Sequence, residues 1–96
     1  MMDLLDTIKG NQNKSLSLSS NVAIEQVDEN FIMLELSKGI FFEVNKSAEM
    51  IINLIREKKT ITQIKTSLQN YSNYNEKVLE DFLLVLLKKK IIFFDD

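Results

Sequence analysis

The chain of 96 residues contains no cysteine, no histidine and only two glycines. Without cysteine it can form neither disulfides nor thiolate metal sites, and nothing points to an oxidising compartment. Without histidine it lacks the commonest general base and the commonest metal ligand. Gly10 and Gly39 alone cannot supply a glycine-rich phosphate-binding loop. These absences leave few routes to catalysis.

Long apolar runs and a strong net charge are also missing. No stretch approaches the roughly 18 apolar residues that a membrane-spanning helix needs, and the start "MMDLLDTIKGN" carries two acidic residues, which is not typical of a signal peptide. The formal net charge of −2 gives no overall attraction to nucleic acid or to acidic membranes. The length and composition are those of a single globular domain, and we expect it to be cytoplasmic.

The polar residues that are present form no catalytic pattern. A nucleophilic triad would have only lysine or a carboxylate as its base. Glu80 and Asp81 are neighbours, whose side chains point apart on a helix, and Asp95 and Asp96 are interpreted as solvated surface. The twelve-residue pattern of an EF-hand is absent. We therefore expect a protein that is not an enzyme and that uses no cofactor.

Residues 18–44 have the alternating pattern of three short strands joined by tight turns. "DEN" at 28–30 and "SKG" at 37–39 are turn signals, and Gly39 can adopt a positive φ. Apolar residues on one side are Val22 and Ile24 in the first strand and Ile32, Leu34 and Leu36 in the second. The third strand spans residues 40–44. This pattern predicts an antiparallel meander in which the first and third strands are edges.

Three helices are predicted after the strands. Asn45 occupies the N-cap position of the first, which runs to about Lys58. Thr60 and Gln63 have capping-box spacing at the start of the second, and Asn75 is placed to cap the third. The expected buried residues of the first two helices are Ala48, Ile51, Ile52 and Ile55, then Ile61, Ile64 and Leu68.

The third helix is apolar over nearly its whole circumference between Phe82 and Leu87. One core-facing stripe needs only three or four apolar positions in two turns. Two interpretations follow: the helix is central and buried all round, or one side of it awaits a partner. The lysines at 88–90 suit the negative end of the helix dipole, and residues 91–94 are expected to pack back on the core or to add a strand.

The predicted fold class is α+β and winged helix-turn-helix-like, with a three-stranded antiparallel sheet followed by three helices. Residues 1–17 are predicted to form a flexible N-terminal arm, and residues 18–96 to form the domain. An arm that packs on the domain or on a partner is the alternative.

Two kinds of partner can be weighed from these elements. A helix-turn-helix reader of nucleic acid needs a basic, polar recognition helix, but the third helix begins with Glu76, Glu80 and Asp81 and has an apolar middle. An open edge strand beside an over-apolar helix instead suits strand addition by an extended peptide. A homodimer, formed through the third strands or the third helices, fits the same pattern equally well.

Motifs between residues 16 and 94 follow one another in a specific order. "NV" opens the first strand, "VDEN" precedes the second, "GIFFEVN" leads into the first helix, "KTITQI" leads into the second, and the Leu-rich third helix runs into "II". In this order and spacing the chain resembles PqqD-like proteins. These are the recognition elements for precursors of ribosomally synthesised and post-translationally modified peptides (RiPPs). Where the family often has an aromatic pair before the Asn and a Gly in the last turn of the third helix, this chain has Phe41–Val44 and Lys90.

The resemblance implies a non-catalytic module that binds the leader region of a precursor peptide. The leader would add a strand to residues 40–44 beside the third helix, and the module would present it to a modifying enzyme such as a radical SAM protein or a lasso-type leader peptidase. The implied leader-binding residues are Ile40, Phe41, Phe42, Glu43, Val44, Phe82, Leu83, Leu86, Leu87, Lys88 and Lys90, with the two lysines meeting acidic leader residues. No nucleic-acid or membrane partner is expected.

Overall fold

The computed structural model describes residues 4–71 and 74–95. Its elements are α1 (Leu4–Gly10), β1 (Leu16–Leu18), β2 (Val22–Val27), β3 (Asn30–Glu35), β4 (Ile40–Val44), α2 (Lys46–Arg56), α3 (Ile61–Leu68), α4 (Glu76–Lys88) and β5 (Ile92–Phe94). Strands β2, β3 and β4 form an antiparallel sheet in that order, and β1 pairs with β5. The predicted α+β fold is confirmed. In the described ranges, no helix is long and apolar enough to cross a membrane.

The register of the meander is set by its two turns. Asp28 and Glu29 link β2 to β3, with Asp28 at φ 57°, and Gly39 at φ 65° leads into β4. Both positive φ values are in the left-handed region that turn residues supply. With this register Met33 lies opposite Ile24 on one strand and Phe42 on the other. Met33 is 2% exposed, so this row marks the face of the sheet that covers the core.

The apolar side of the second predicted strand is not its buried side. Leu34 and Leu36 share a side with Ile32, as expected, but that side faces away from the core, and Leu36 is 65% exposed. The buried positions of β3 are Met33 and Glu35. A strand with apolar residues on both sides does not reveal which side is buried. The pairing with β2 and β4 decides it.

The three helix starts are capped as predicted. Asn45 Oδ1 accepts a hydrogen bond from the Ala48 amide at 2.8 Å, and Thr60 forms a capping box with Gln63. Asn75 Oδ1 accepts from two amides of the first turn of α4. Such caps satisfy amides that have no partner within the helix. They fix where α2 begins relative to β4, which ends one residue before Asn45.

The core lies between the inner face of the sheet and the helices. Its fully buried side chains are Ile8, Leu16, Met33, Ile52, Ile55, Ile61, Ile64, Leu83, Leu86, Ile91 and Ile92. The predicted buried stripes of α2 and α3 are confirmed for all positions except Ala48, which is half-buried.

The N-terminal segment packs on the rest of the chain, and so differs from the expected flexible arm. Ile8 of α1 and Leu16 of β1 are both 0% exposed, and Leu16 pairs with Phe94 of β5. Asp95 accepts hydrogen bonds from the Ser15 and Ser17 hydroxyls at 2.9 and 2.5 Å. Strand β1 was not predicted, because only two residues of the polar stretch after Gly10, Leu16 and Leu18, are apolar. The alternative of an arm that packs on the domain fits this arrangement.

Leu16→Ala tests this packing. Because the side chain is fully buried, we expect the free energy of unfolding to fall by about 2–5 kcal/mol, measured by urea denaturation. Leu36→Ala is the matched control, and its exposed side chain should change stability by about 0.5 kcal/mol or less. A Leu16→Ala protein as stable as the control would mean that β1 does not pack in solution.

Candidate functional site

A groove of about 550 Å³ opens beside the end of β4. Its walls come from the last residues of β4, the first turns of α2, the end of α3 and the first half of α4. The lining residues are Glu43, Val44, Asn45, Ser47, Ala48, Met50, Ile51, Leu68, Tyr71, Tyr74, Asn75, Val78, Leu79 and Phe82. Most of these side chains are apolar or aromatic, while charged residues are nearly absent. The groove therefore suits an apolar guest.

Strand β4 is an edge of the sheet. Among residues 4–71 and 74–95 it pairs only with β3, through the register Phe31↔Val44 to Glu35↔Ile40. An edge strand carries a row of backbone donors and acceptors that another extended chain can pair with. Its only charged residue, Glu43, is exposed. The open edge and the groove thus lie side by side.

Helix α4 presents two separate stripes. Leu79, Leu83 and Leu86 are 0–2% exposed and face the core. The second stripe consists of Val78, Phe82, Val85 and Lys89, whose spacings of four, three and four place them on one helix face.

The second stripe is accessible and faces β4. Val78 is 64% exposed and Val85 is 47% exposed. Val78 and Phe82 line the groove with Val44, and Lys89 Nζ lies 5.3 Å from the centre of the Phe42 ring. Because the start of α4 lies near the end of β4 and Lys89 lies near Phe42, α4 runs antiparallel to β4. One side of α4 is therefore core, and the other is an uncovered apolar surface beside the open edge.

The C-terminal end of α4 is tied to the turn before β4. Lys38 Nζ donates a hydrogen bond to the Lys89 carbonyl at 2.6 Å. Lys88, Lys89 and Lys90 are all exposed, and Lys90 ends the helix at φ 59°. The cations therefore cluster at the end of the site where β4 begins.

The structure divides the predicted site residues. Val44, Glu43 and Phe82 line the groove, Phe42 packs on the core beside Lys89, and Ile40 is half-buried at the start of β4. The exposed Lys88 and Lys90 lie at the basic end.

Four predicted residues lie elsewhere. Leu83 and Leu86 are 0% and 1% exposed, so no side-chain atom of either is accessible to a ligand in this conformation. Leu87 is half-buried against the core. Phe41 is 71% exposed and points to the outer side of the sheet, away from the core-facing Phe42. Consecutive strand residues face opposite sides, and consecutive helix residues lie about 100° apart, so one apolar run contributes to several surfaces.

Several groove residues were missed by the sequence analysis. Val78 could have been found, because its spacing places it on one helix face with Phe82. Val85 and Lys89 share that face but lie outside the groove lining. Met50 and Tyr71 could not, since nothing local marks them as neighbours of β4. Tyr74 also lines the groove. Burial and the nearby charge of Glu76 raise the pKa of the Tyr74 phenol above its ordinary value.

A buried carboxylate supports the turn that begins β4. Glu35 is 2% exposed and lies opposite Ile40. Its Oε1 accepts hydrogen bonds from the Ser37 hydroxyl at 2.5 Å and the Ser37 amide at 2.8 Å. The Ser37 hydroxyl, with further help from the Ser37 amide and the charge of Lys38, lowers the pKa of Glu35 despite the opposing effect of burial. The ionised form is therefore the one that holds the turn.

The arrangement offers apolar contact, backbone pairing and a basic end. Within the described ranges, no group of three or more acidic side chains could hold a metal ion.

We expect the Glu35 carboxylate to make stability depend on pH. Because its pKa is lowered from 4.5 on folding, its contribution is present above that value and is lost as the pH falls through the lower, folded value. Urea denaturation between pH 7 and pH 3 should show a shallower acid decline for Glu35→Gln than for the wild type. Asp95, whose pKa is also lowered, is present in both proteins. Its contribution to the pH dependence of stability is therefore the same in both and does not affect the comparison. Identical pH curves would contradict the assignment.

Comparison with known proteins places the fold. No family model matches the chain, and no curated protein matches it. It is similar to the solved structure of TbiB1 in complex with the TbiA(beta) leader peptide, with 22% identity, a TM-score of 0.65, and coverage of 79% of this chain and 93% of that one. It is also similar to a lasso peptide synthetase B1 complexed with the leader peptide, with 17% identity, a TM-score of 0.63, and coverage of 81% and 95%. At these identities the likeness shows a shared fold.

Proposed function

We propose that this chain is a leader-recognition module of RiPP biosynthesis. It binds an extended segment of a precursor peptide and presents it to a modifying enzyme, without doing chemistry itself. The observation that carries the proposal is the juxtaposition of the open β4 edge with the uncovered stripe of α4. The two solved structures of the same fold support it, since both are named as complexes with leader peptides.

The proposed binding mode is strand addition. The leader pairs its backbone with the free edge of β4 as a fourth strand of the sheet. Five residues of strand span about 16 Å. Alternate leader side chains then enter the space between β4 and α4. Val78 and Phe82 line the groove there, and Val85 lies next along the same helix face.

The two ends of the site favour different side chains. At the end of β4 the groove accepts a bulky apolar or aromatic residue, with Tyr71 and Tyr74 at its wall. At the start of β4 the cluster Lys88–Lys90 favours acidic leader residues, because opposite charges attract even at exposed sites.

The proposed role requires a partner enzyme that modifies or cleaves the precursor. A radical SAM protein or a lasso-type leader peptidase would act on the part of the precursor beyond the bound leader. A module of this kind raises the local concentration of the precursor at the enzyme.

Val85→Glu tests the uncovered stripe of α4 that continues from the groove. The side chain is 47% exposed, so the fold should survive, while a charge on the apolar stripe should weaken binding of the leader peptide by about tenfold or more. Binding is measured by fluorescence anisotropy with a labelled synthetic peptide, taken from the leader region of a short precursor reading frame sought among the neighbouring genes. Leu36→Glu, at an exposed apolar position outside the groove, should bind like the wild type. Equal affinities for both variants would contradict the groove assignment.

Strand addition itself is tested with N-methylated peptides. Along a paired strand, alternate residues direct their amides toward the neighbour. Methylating amides one at a time should therefore give a two-residue periodicity, in which every second position loses about tenfold in affinity. Neighbouring positions should be unaffected and serve as internal controls. A loss at every position, or at none, would exclude pairing with the edge of β4, and a dimer seen by light scattering that excludes the peptide would assign that edge to a second copy.

A further inference from the structure

The outer face of the sheet is apolar and uncovered. Ala23, Leu34 and Phe41 lie opposite one another across β2, β3 and β4, and Ile32 lies in the adjacent row. None of these belongs to the core or packs against it. Phe41 is 71% exposed. Contiguous apolar surface of this kind marks interaction sites more often than scattered single residues do.

The same face is acidic. Glu25 and Glu43 flank Ile32 on its two sides, because Ile32 pairs with Glu25 on β2 and with Glu43 on β4. Asp28 and Glu29 form the turn at one end of the face. No lysine or arginine lies in β2, β3 or β4, all of whose residues are described.

The lysines just before and just after β4 are directed to the other side. Lys38 donates to the carbonyl of Lys89, and Lys46 lies 5.4 Å from the ring of Phe31, on the inner face of the sheet. The four carboxylates around the outer face thus have no compensating charge on the sheet.

We infer that the outer face of the sheet is a docking surface for a second protein whose contact surface is apolar and bordered by lysine and arginine. Apolar contact with Phe41 and Leu34 would supply affinity, and the basic border would neutralise Glu25, Glu43 and the acidic turn. Complementary charge of this kind selects the partner and accelerates association.

A second copy of this chain is a poor occupant. Two outer faces in contact would bring eight carboxylates together with no lysine or arginine from either sheet. Like charges opposed across an interface disfavour association. The charge pattern therefore favours a different protein.

The identity of this protein as the modifying enzyme rests on the proposed function. The leader site uses the edge of β4 and the inner groove. Of the outer-face residues named above, only Glu43 also lines that groove, so the rest of the outer face stays free and the chain can hold leader and enzyme at once. Glu25 lies two strands away from the free edge, about 10 Å, which separates the two surfaces experimentally.

The test uses a radical SAM protein or leader peptidase sought among the neighbouring genes, titrated against the immobilised full chain by biolayer interferometry. We expect Phe41→Ser to weaken enzyme binding about tenfold. Glu25→Lys should weaken it about fivefold at 0.05 M salt and much less at 0.5 M salt, since salt screens exposed charges. Phe93→Ser and Glu57→Lys, which change exposed residues of β5 and of the α2 C-cap, should bind like the wild type.

The outcomes separate this inference from the proposed function. Leader binding by Glu25→Lys should equal that of the wild type. If the leader binds but neither outer-face variant changes enzyme binding, or the enzyme does not bind at all, the docking surface is overturned and leader recognition stands. If the variants reduce enzyme binding but no leader binds, the docking surface stands alone. A homodimer that Phe41→Ser dissociates would assign the face to a second copy and overturn the inference.

Discussion

The burial of Leu79, Leu83 and Leu86 along α4 is the interaction on which the candidate site depends. These side chains lock the rotation of the helix against the core and thereby turn Val78, Phe82 and Val85 toward β4. A rotation of about 100°, one residue position, would hide that stripe. The link from Lys38 to the Lys89 carbonyl fixes the far end of the helix against the same hairpin. The site is therefore a by-product of core packing.

Strand β4 joins three surfaces. Its inward residues, such as Phe42, pack on the core, its free edge borders the groove, and its outward residue Phe41 belongs to the outer face. Because Gly39 and Asn45 bound the strand with a turn and a helix cap, its register cannot slip without breaking one of them. A short strand with rigid ends can thus serve a peptide on one side and a protein on another.

Most helices and strands could be predicted from short sequence patterns, because caps and turns depend on interactions between residues close in sequence. The caps at Asn45, Thr60 and Asn75 and the turn at Gly39 depend on residues close in sequence, and all were predicted. The site was harder. Phe82 and Val44 line the groove, whereas Leu83 and Leu86 are buried, and an all-round apolar helix does not show in its sequence which stripe is core. β1 was missed because its buried position depends on Leu16 pairing with Phe94, 78 residues later.

The sequence by itself determined the order of the elements from β2 to α4, the bounds of β4, the helix caps, and the excess of apolar surface on α4. These follow from backbone conformation and from periodicity, which act over a few residues. Only the tertiary structure decided which face of the sheet covers the core, which stripe of α4 stays exposed, and that Tyr71 and Met50 line the groove beside Val44. Such choices depend on contacts between distant segments, and a pattern of apolar residues is compatible with more than one of them.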